Sequence, residues 1–222
     1  MQLNHSNNLI YLASRSPRRI ELLKQLGVDC QVLPADIDES VMLNEHPADY
    51  VQRLAKQKAE ACFSVLAANT LVIDEKNLTA FDRHILTDNN SAKFKCLVIA
   101  ADTTVAINNE ILGKPIDDDD ARAMLRLLSG SQHKVHTAIA IGTNERLEVM
   151  LSTTIVEMMQ LSYTQIEAYI ASGEHRDKAG SYGIQGQAGA WVKRIEGSYT
   201  GVMGLPIYET ALLLRQYHVH VI

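Results

Sequence analysis

The chain has 222 residues, of which 46% are hydrophobic and 21% charged, and its formal net charge is −5. This composition is that of an ordinary globular protein with a substantial core, and the negative charge argues against a general nucleic-acid coat, which would need a basic stripe. The polar first residues lack a basic start, and no apolar run approaches the roughly 20 residues of a membrane span, so we expect a cytoplasmic protein without membrane association. Cys30, Cys62 and Cys96 are scattered and odd in number, which favours reduced thiols.

The first predicted elements are a strand, a polar turn and a helix. Residues 9–12 form an apolar run, and apolar residues then recur at helical spacing from Ile20 to Leu26. Ser16 is the predicted N-cap, because Pro17 then occupies the first helical position. Gly27 is the predicted stop of this helix.

Three arginines, Arg15, Arg18 and Arg19, crowd the predicted helix start. A helix N-terminus already carries partial positive charge, so a compensating anion such as a polyphosphate would fit there. The spacing equally allows arginines that point into water.

A second strand is predicted at 28–33, leading to an acidic segment that ends at Glu39, and a long helix is predicted at 47–68. Lys58 falls on the apolar stripe of that helix. Its stem could lie along the core with the amine in water, or its ammonium could be aimed at a phosphate. Residues 69–95 lack steady periodicity, and we interpret them as a long loop or insertion.

Residues 96–101 are continuously apolar, as in a strand buried on both faces, and Asp102 follows directly. A buried carboxylate is costly unless it is paired, hydrogen-bonded or bound to a metal, and ligands bind at strand ends of open α/β sheets. The alternative is an aspartate that only caps a turn. A hairpin around 108–109 and a stiff turn bearing Lys114 are predicted next.

The second half of the chain is predicted to contain two strands between two helices, and then a glycine-rich segment. Asp117–Asp120 are interpreted as a helix start rather than a metal cluster. Strands are predicted at 133–141 and 147–159, a helix from Ser162 to Gly173, and a closing helix at 207–217. Residues 174–206 indicate either small hairpins or a rigid loop that presents Gln185 to a base edge.

Four motifs together closely resemble the Maf family of nucleotide pyrophosphatases, over nearly the whole chain. They are Ser14-Arg15-Ser16-Pro17-Arg18-Arg19, Ala101-Asp102-Thr103-Thr104-Val105, Gly113-Lys114-Pro115, and Asp177-Lys178-Ala179-Gly180 with Gly183-Ile184-Gln185-Gly186. The last motif is similar to that of the branch that hydrolyses dTTP and UTP. The resemblance implies an elongated α/β fold, like that of inosine triphosphatases, in which a mixed sheet forms two lobes around a central cleft. Residues 1–222 would then be one domain with an unusual insertion at about 69–95.

The resemblance also implies roles for individual residues. Asp102 would be the proton acceptor, acting as a direct base or as a metal ligand, and with Glu39 it would bind a divalent cation such as Mg²⁺ or Mn²⁺. The positions that set base specificity in the family are matched by Arg18, Thr103 and Gln185. The positions that hold phosphates are matched by Ser14, Arg19, Lys58 and Lys114. Nucleoside triphosphates are the expected partners, and a homodimer is one expectation because family members are often dimeric. The alternatives are a related house-cleaning pyrophosphatase for other non-standard nucleotides, such as inosine or xanthosine triphosphate, and a nucleotide-binding regulator of cell division.

Overall fold

The structure is a computed structural model that describes residues 9–34, 36–71 and 96–222. Within these ranges the strands are β1 Ile10–Leu12, β2 Gln31–Val32, β3 Leu97–Ile107, β4 Glu110–Leu112, β5 Gln132–Gly142, β6 Leu147–Met158 and β7 Val192–Glu196. The helices are α1 Pro17–Gln25, α2 Pro47–Leu71, α3 Asp118–Leu128, α4 Tyr163–Ser172, α5 Tyr199–Val202 and α6 Ile207–Gln216. Ala179–Ser181 and Gln187–Trp191 form short 3₁₀ turns.

The strands form one mixed sheet in the order β2-β1-β3-β5-β6-β7, with β4 also paired to β3. β1 runs parallel to β2 and β3, whereas the other pairs are antiparallel. The predicted α/β class with a mixed sheet is therefore confirmed. The description as a single domain of two lobes stays a prediction.

The central strand β3 has a gap along one edge. On that edge β1 pairs with Leu97–Ile99 and β4 with Val105–Ile107, while β5 covers the opposite edge from Val98 to Ala106. The edge from Ala100 to Thr104 thus has no strand partner among the described residues. The gap leaves room for side chains and ligands beside the middle of a buried strand.

Three clusters of buried apolar side chains pack on the sheet. One packs α1 and α6 against the first half of β3, and a second packs α2 against the other face of that half. The third packs α3 and α4 against the second half of β3. The first half of β3 contributes to two clusters because successive side chains of a strand point to opposite faces. Ile99 and Ala101 face the first cluster, and Val98 and Ala100 face the second.

Local signals in the sequence predicted most helix boundaries. α1 begins at Pro17, although the Ser16 side chain makes no capping bond and Ser14 Oγ instead accepts from the Ser16 amide. Asp117 caps α3 through the Asp120 amide, so the acidic run is a helix start, as predicted. Ser162 and Gln165 form a capping box on α4, which ends at Gly173 with φ of 72°.

Three predictions need correction. β3 continues through Asp102, so this residue lies mid-strand rather than after a strand end, because pairing with β5 is unbroken there. β2 covers only two residues of the predicted 28–33 strand. The glycine-rich segment forms 3₁₀ turns, the single strand β7 and the short helix α5 rather than a set of hairpins. Of the predicted insertion at 69–95, residues 69–71 belong to α2, and the remainder lies outside the described residues.

The three cysteines are unpaired thiols, as predicted. In the described part of the chain, no helix is long and apolar enough to cross a membrane.

Candidate active site

A cavity of about 650 Å³ lies beside the gap in β3, within the size range of small-molecule sites. All nine site residues predicted from the sequence line it: Ser14, Arg18, Arg19, Glu39, Lys58, Asp102, Thr103, Lys114 and Gln185. Six cationic side chains and only four anionic ones face the cavity, in a chain of net charge −5. The cationic set is Arg15, Arg18, Arg19, Lys58, Lys114 and Lys178. The cavity is therefore suited to an anion.

Lys58 joins two carboxylates at the centre of the cavity. Its Nζ lies 2.6 Å from Asp102 Oδ1 and 2.6 Å from Glu39 Oε1. The Lys58 side chain is only 12% exposed, so the interpretation of an amine reaching into water is wrong. Within the described residues, Asp102 Oδ2 and Glu39 Oε2 have no hydrogen-bond donor, so each carboxylate keeps one oxygen for a ligand.

The loop that carries Glu39 is fastened to α2. Tyr50 Oη donates to the Glu39 carbonyl at 2.9 Å, and Arg53 donates to the Ser40 carbonyl at 3.0 Å. Burial by itself would raise the pKa of Glu39, but the hydrogen bond and charge of Lys58, helped by Lys114 and Arg19, outweigh it and lower the pKa. Glu39 is thus held as an anion at the cavity wall.

Arg19 is bound on several sides by the protein. Its Nε donates to the Gly204 carbonyl at 2.8 Å, and its two terminal nitrogens donate to Ser14 Oγ at 3.0 Å and Thr103 Oγ1 at 3.4 Å. Burial lowers the pKa of Arg19, against the attraction of Asp102. Each terminal nitrogen retains a second N–H, so the fixed guanidinium can still donate to an anion in the cavity.

A hydroxyl chain continues from Arg19 into the sheet. Thr103 lies 3.0 Å from Thr137 Oγ1, which itself lies 2.8 Å from the Gly201 carbonyl. Thr137 is the donor in both contacts, so its single proton is shared between the Thr103 hydroxyl and the Gly201 carbonyl. Thr103 Oγ1 therefore accepts from Thr137 and from Arg19, and its own proton is left for an acceptor in the cavity.

The other predicted basic residues differ in their surroundings. Arg15 and Asp36 both line the cavity at exposed positions and pair with each other at 3.0 Å, so the charge of Arg15 is already met by a carboxylate. Arg18 has a buried Nε without a hydrogen-bond partner in the described part of the chain. Lys114 is exposed on the turn that precedes α3. This turn is held by a hydrogen bond from the Gly180 amide to the Gly113 carbonyl at 3.0 Å.

The family model described as Maf-like protein matches residues 9–217. The chain belongs to the Maf family. A dTTP/UTP pyrophosphatase of Methylobacillus flagellatus is 52% identical over 206 residues, covering 93% of this chain and 91% of the relative. Relatives of the same name from Chromobacterium violaceum and Hahella chejuensis are 48% and 42% identical and cover 97% and 98% of this chain, and 98% and 96% of their own lengths. The Ham1 protein structure of Staphylococcus aureus has a weak likeness, with a TM-score of 0.45 and 16% identity over 70% of this chain and 74% of that one.

The carboxylates of this Maf protein fit a hard divalent cation. Mg²⁺ is usually bound by one or two carboxylates together with substrate phosphates and water, and Glu39 and Asp102 each retain a free oxygen beside the Lys58 ammonium. In the described ranges, no group of three or more His, Cys, Asp or Glu side chains is placed so that it could hold a metal ion. Any ion here would therefore depend on the substrate for the rest of its ligands.

The sequence reasoning missed two cavity residues of this Maf protein. Tyr50 lines the cavity and anchors the Glu39 loop, and burial followed by the charges of Asp102 and Glu39 raises its pKa to about 12. Its position on the stripe that carries Lys58, eight residues earlier, was the available signal. Lys178 also lines the cavity, and burial together with the charge of Arg18 lowers its pKa. The signal for Lys178 is its place in the motif Asp177-Lys178-Ala179-Gly180.

Proposed function

We propose that this protein is a metal-dependent nucleoside triphosphate pyrophosphatase that hydrolyses dTTP and UTP to the monophosphate and pyrophosphate. The observation that carries the proposal is the Lys58 ammonium between the carboxylates of Asp102 and Glu39, inside a cavity with excess positive charge. The printed names of the relatives support the choice of substrates.

The basic residues bind and orient the triphosphate in this proposal. Arg19 approaches from the start of α1 with its remaining N–H groups, and Lys114 reaches in from the opposite turn. Ser14 Oγ accepts from Arg19 and from the Ser16 amide, which leaves its own proton for a phosphate oxygen. Charge neutralisation and positioning of this kind supply most of the catalysis in phosphoryl chemistry.

Asp102 accepts the proton of the attacking water through its free oxygen. It is 8% exposed, and Lys58 holds its other oxygen, so the carboxylate presents Oδ2 in one orientation. Glu39 and Asp102 would hold the divalent cation, which would neutralise phosphate charge and lower the pKa of bound water. Asp102 would act either as the direct base or as a ligand of the cation that activates the water.

Gln185 supplies base selection. It lines the cavity, is exposed there, and its side-chain amide makes no hydrogen bond within the described residues. An amide can donate to a carbonyl and accept from the N3–H of uracil or thymine, an edge that those two bases share. Thr103 accepts from Thr137, so its own proton could donate to a carbonyl of the same base.

The test is a panel of nucleoside triphosphates in which pyrophosphate and the monophosphate are detected separately. We expect dTTP and UTP to be hydrolysed with release of pyrophosphate only when a divalent cation is present. Release of orthophosphate and a diphosphate would overturn the assigned bond. A preference for inosine or xanthosine triphosphate would favour the related house-cleaning activity, and tight binding without turnover would favour a regulatory role.

Two further expectations accompany this function. A cytoplasmic location agrees with nucleotide substrates and with three unpaired thiols. A homodimer is proposed on the family resemblance alone, and sedimentation equilibrium of the purified full chain tests it.

A further inference from the structure

A hydrogen-bonded brace lies behind the loop that carries Gln185. The Gly183 amide donates to Tyr169 Oη at 3.2 Å, and the Tyr169 hydroxyl lies 3.2 Å from Glu174 Oε1. The Gln187 amide donates to Glu174 Oε2 at 3.1 Å. Both ends of the segment 183–187 are therefore tied to two side chains, while Gln185 between them has a free amide.

The chemistry of the side chains determines which group donates and which accepts in each hydrogen bond of this brace. A phenol has a single proton, and the carboxylate can only accept, so Tyr169 donates to Glu174 and uses a lone pair for the Gly183 amide. Burial raises the pKa of Tyr169, so the hydroxyl keeps its proton over the working range of pH.

The end of α4 puts both side chains in place. Tyr169 lies in the last turns of α4, 1% exposed, with its ring edge-on to Trp191 at 4.9 Å between centroids. Gly173 ends the helix in the left-handed conformation, and the Glu174 amide then donates to Ser172 Oγ at 3.2 Å. The chain reversal turns the Glu174 carboxylate back beneath the loop.

Gly186 is needed for this approach. A Cβ on Gly186 would overlap the Glu174 carboxylate. The backbone dihedral angles of Gly186 are those of an extended chain, which any residue can adopt. The requirement for glycine therefore comes from the carboxylate and not from backbone strain. A turn bond from the Gly186 amide to the Gly183 carbonyl at 3.1 Å closes the loop.

We propose that Tyr169 and Glu174 are positioning residues for base selection. Neither lines the cavity, so they act through the backbone of 183–187, which they hold so that Gln185 meets the base edge in one orientation. The inference rests on the proposed function, because it requires that Gln185 reads the base.

The first test measures the brace directly, without reference to activity. Tyr169→Phe removes one hydroxyl and keeps the ring packed on Trp191, and Tyr163→Phe, at an exposed site on the same helix, is the matched control. Amide hydrogen exchange of the peptide covering 183–187 should accelerate in Tyr169→Phe and stay at the wild-type rate in Tyr163→Phe. Equal exchange in the two variants would show that the brace does not hold the loop.

The second test measures base selection in the same variants. The ratio of kcat/KM for UTP to that for CTP should fall by about three- to tenfold in Tyr169→Phe, the size expected for one lost hydrogen bond. The loss should come mainly from a higher KM for UTP. A faster-exchanging loop with an unchanged ratio would overturn the inference, whereas a wild-type protein that hydrolyses neither nucleotide would overturn the proposed function.

A third test guards against a Tyr169→Phe protein that fails to fold. Gly186→Ala displaces the carboxylate and should lower the UTP to CTP ratio by a similar factor. In a Glu174→Ala background the obstacle is gone, so adding Gly186→Ala should change the ratio no further, as a double-mutant cycle would reveal. An equal effect of Gly186→Ala in both backgrounds would contradict the role of Glu174.

Discussion

Lys58 Nζ on α2 lies 2.6 Å from Asp102 Oδ1 in the middle of β3, although the two residues are 44 positions apart in sequence. Asp102→Asn keeps the size of the side chain and an acceptor for Lys58, and Lys58 also retains Glu39, so we expect a folded protein. Turnover should fall at least about a hundredfold, the usual scale for loss of a general base. Steady-state kinetics with UTP checks this, with the exposed Asp29→Asn as control; near-normal turnover would make Asp102 structural.

Lys58→Met removes the ammonium from between the carboxylates of Glu39 and Asp102. Two anions would then face each other in a partly buried wall, and removing one partner of such a pair costs on the order of 3 to 5 kcal/mol. We expect a lower midpoint of thermal unfolding and loss of UTP hydrolysis. Lys56→Met is the matched control, because Lys56 lies on the same helix with a 58% exposed side chain. Equal melting temperatures for the two variants would contradict a structural role of the central ammonium.

Glu39→Gln tests the proposed metal site. The amide keeps a contact with Lys58 but removes a formal charge that a divalent cation would need. The Mg²⁺ concentration for half-maximal activity should rise, and binding of Mn²⁺ measured by calorimetry in the presence of nucleotide should weaken. Glu60→Gln, exposed on α2, should leave both unchanged. Metal dependence that is identical in wild type and Glu39→Gln would exclude Glu39 as a ligand.

Gln185→Ala should reduce the difference in kcat/KM between UTP and CTP, chiefly by lowering kcat/KM for UTP. Cytosine replaces the N3–H with an acceptor and one carbonyl with an amine, and such mispairing costs on the order of 1 to 3 kcal/mol per buried group. Measuring kcat/KM for both nucleotides decides this. The control is Gln187→Ala, whose side chain is exposed and lies outside the cavity. A proportional loss for both nucleotides would mean that Gln185 only supports its loop.

Stability should depend on pH through His133, which is 2% exposed and bonded to Tyr182 Oη at 2.7 Å. Burial lowers the pKa of His133 to about 4, from about 6.5 in an unfolded chain. Between about pH 4 and about pH 6.5 the unfolded chain binds a proton at this histidine and the folded protein does not. The contribution of His133 to the free energy of unfolding is therefore full above about pH 6.5, and it falls by up to about 3 kcal/mol as the pH decreases to about 4.

Urea unfolding of wild type and His133→Gln at several pH values measures this effect. The free energy of unfolding of the variant should decline less between about pH 6.5 and 4 than that of the wild type. His220→Gln, at an exposed position, should decline like the wild type. Parallel curves for His133→Gln and wild type would show that the histidine is not held neutral by burial.

Helix boundaries were predictable because their signals are local. Pro17 starts α1, Asp117 caps α3, and a capping box and a left-handed glycine bound α4. Each of these signals depends on contacts within four residues, so the local sequence is enough to predict the helix boundary. The nine candidate site residues came instead from the family resemblance, and they do line one cavity.

Contacts between distant residues could not be read from the sequence. The polar run at Asp102–Thr104 looked like the end of β3, yet pairing with β5 carries the strand to Ile107. Similarly, Lys58 on an apolar stripe gave no sign that it would lie between Asp102 and Glu39, and nothing local joined Glu174 to Gln187. Local propensity and hydrophobic period determine where elements begin and end, whereas sheet pairing and packing bring charges together from remote segments, because the cost of burying a charge is met only by partners that folding supplies.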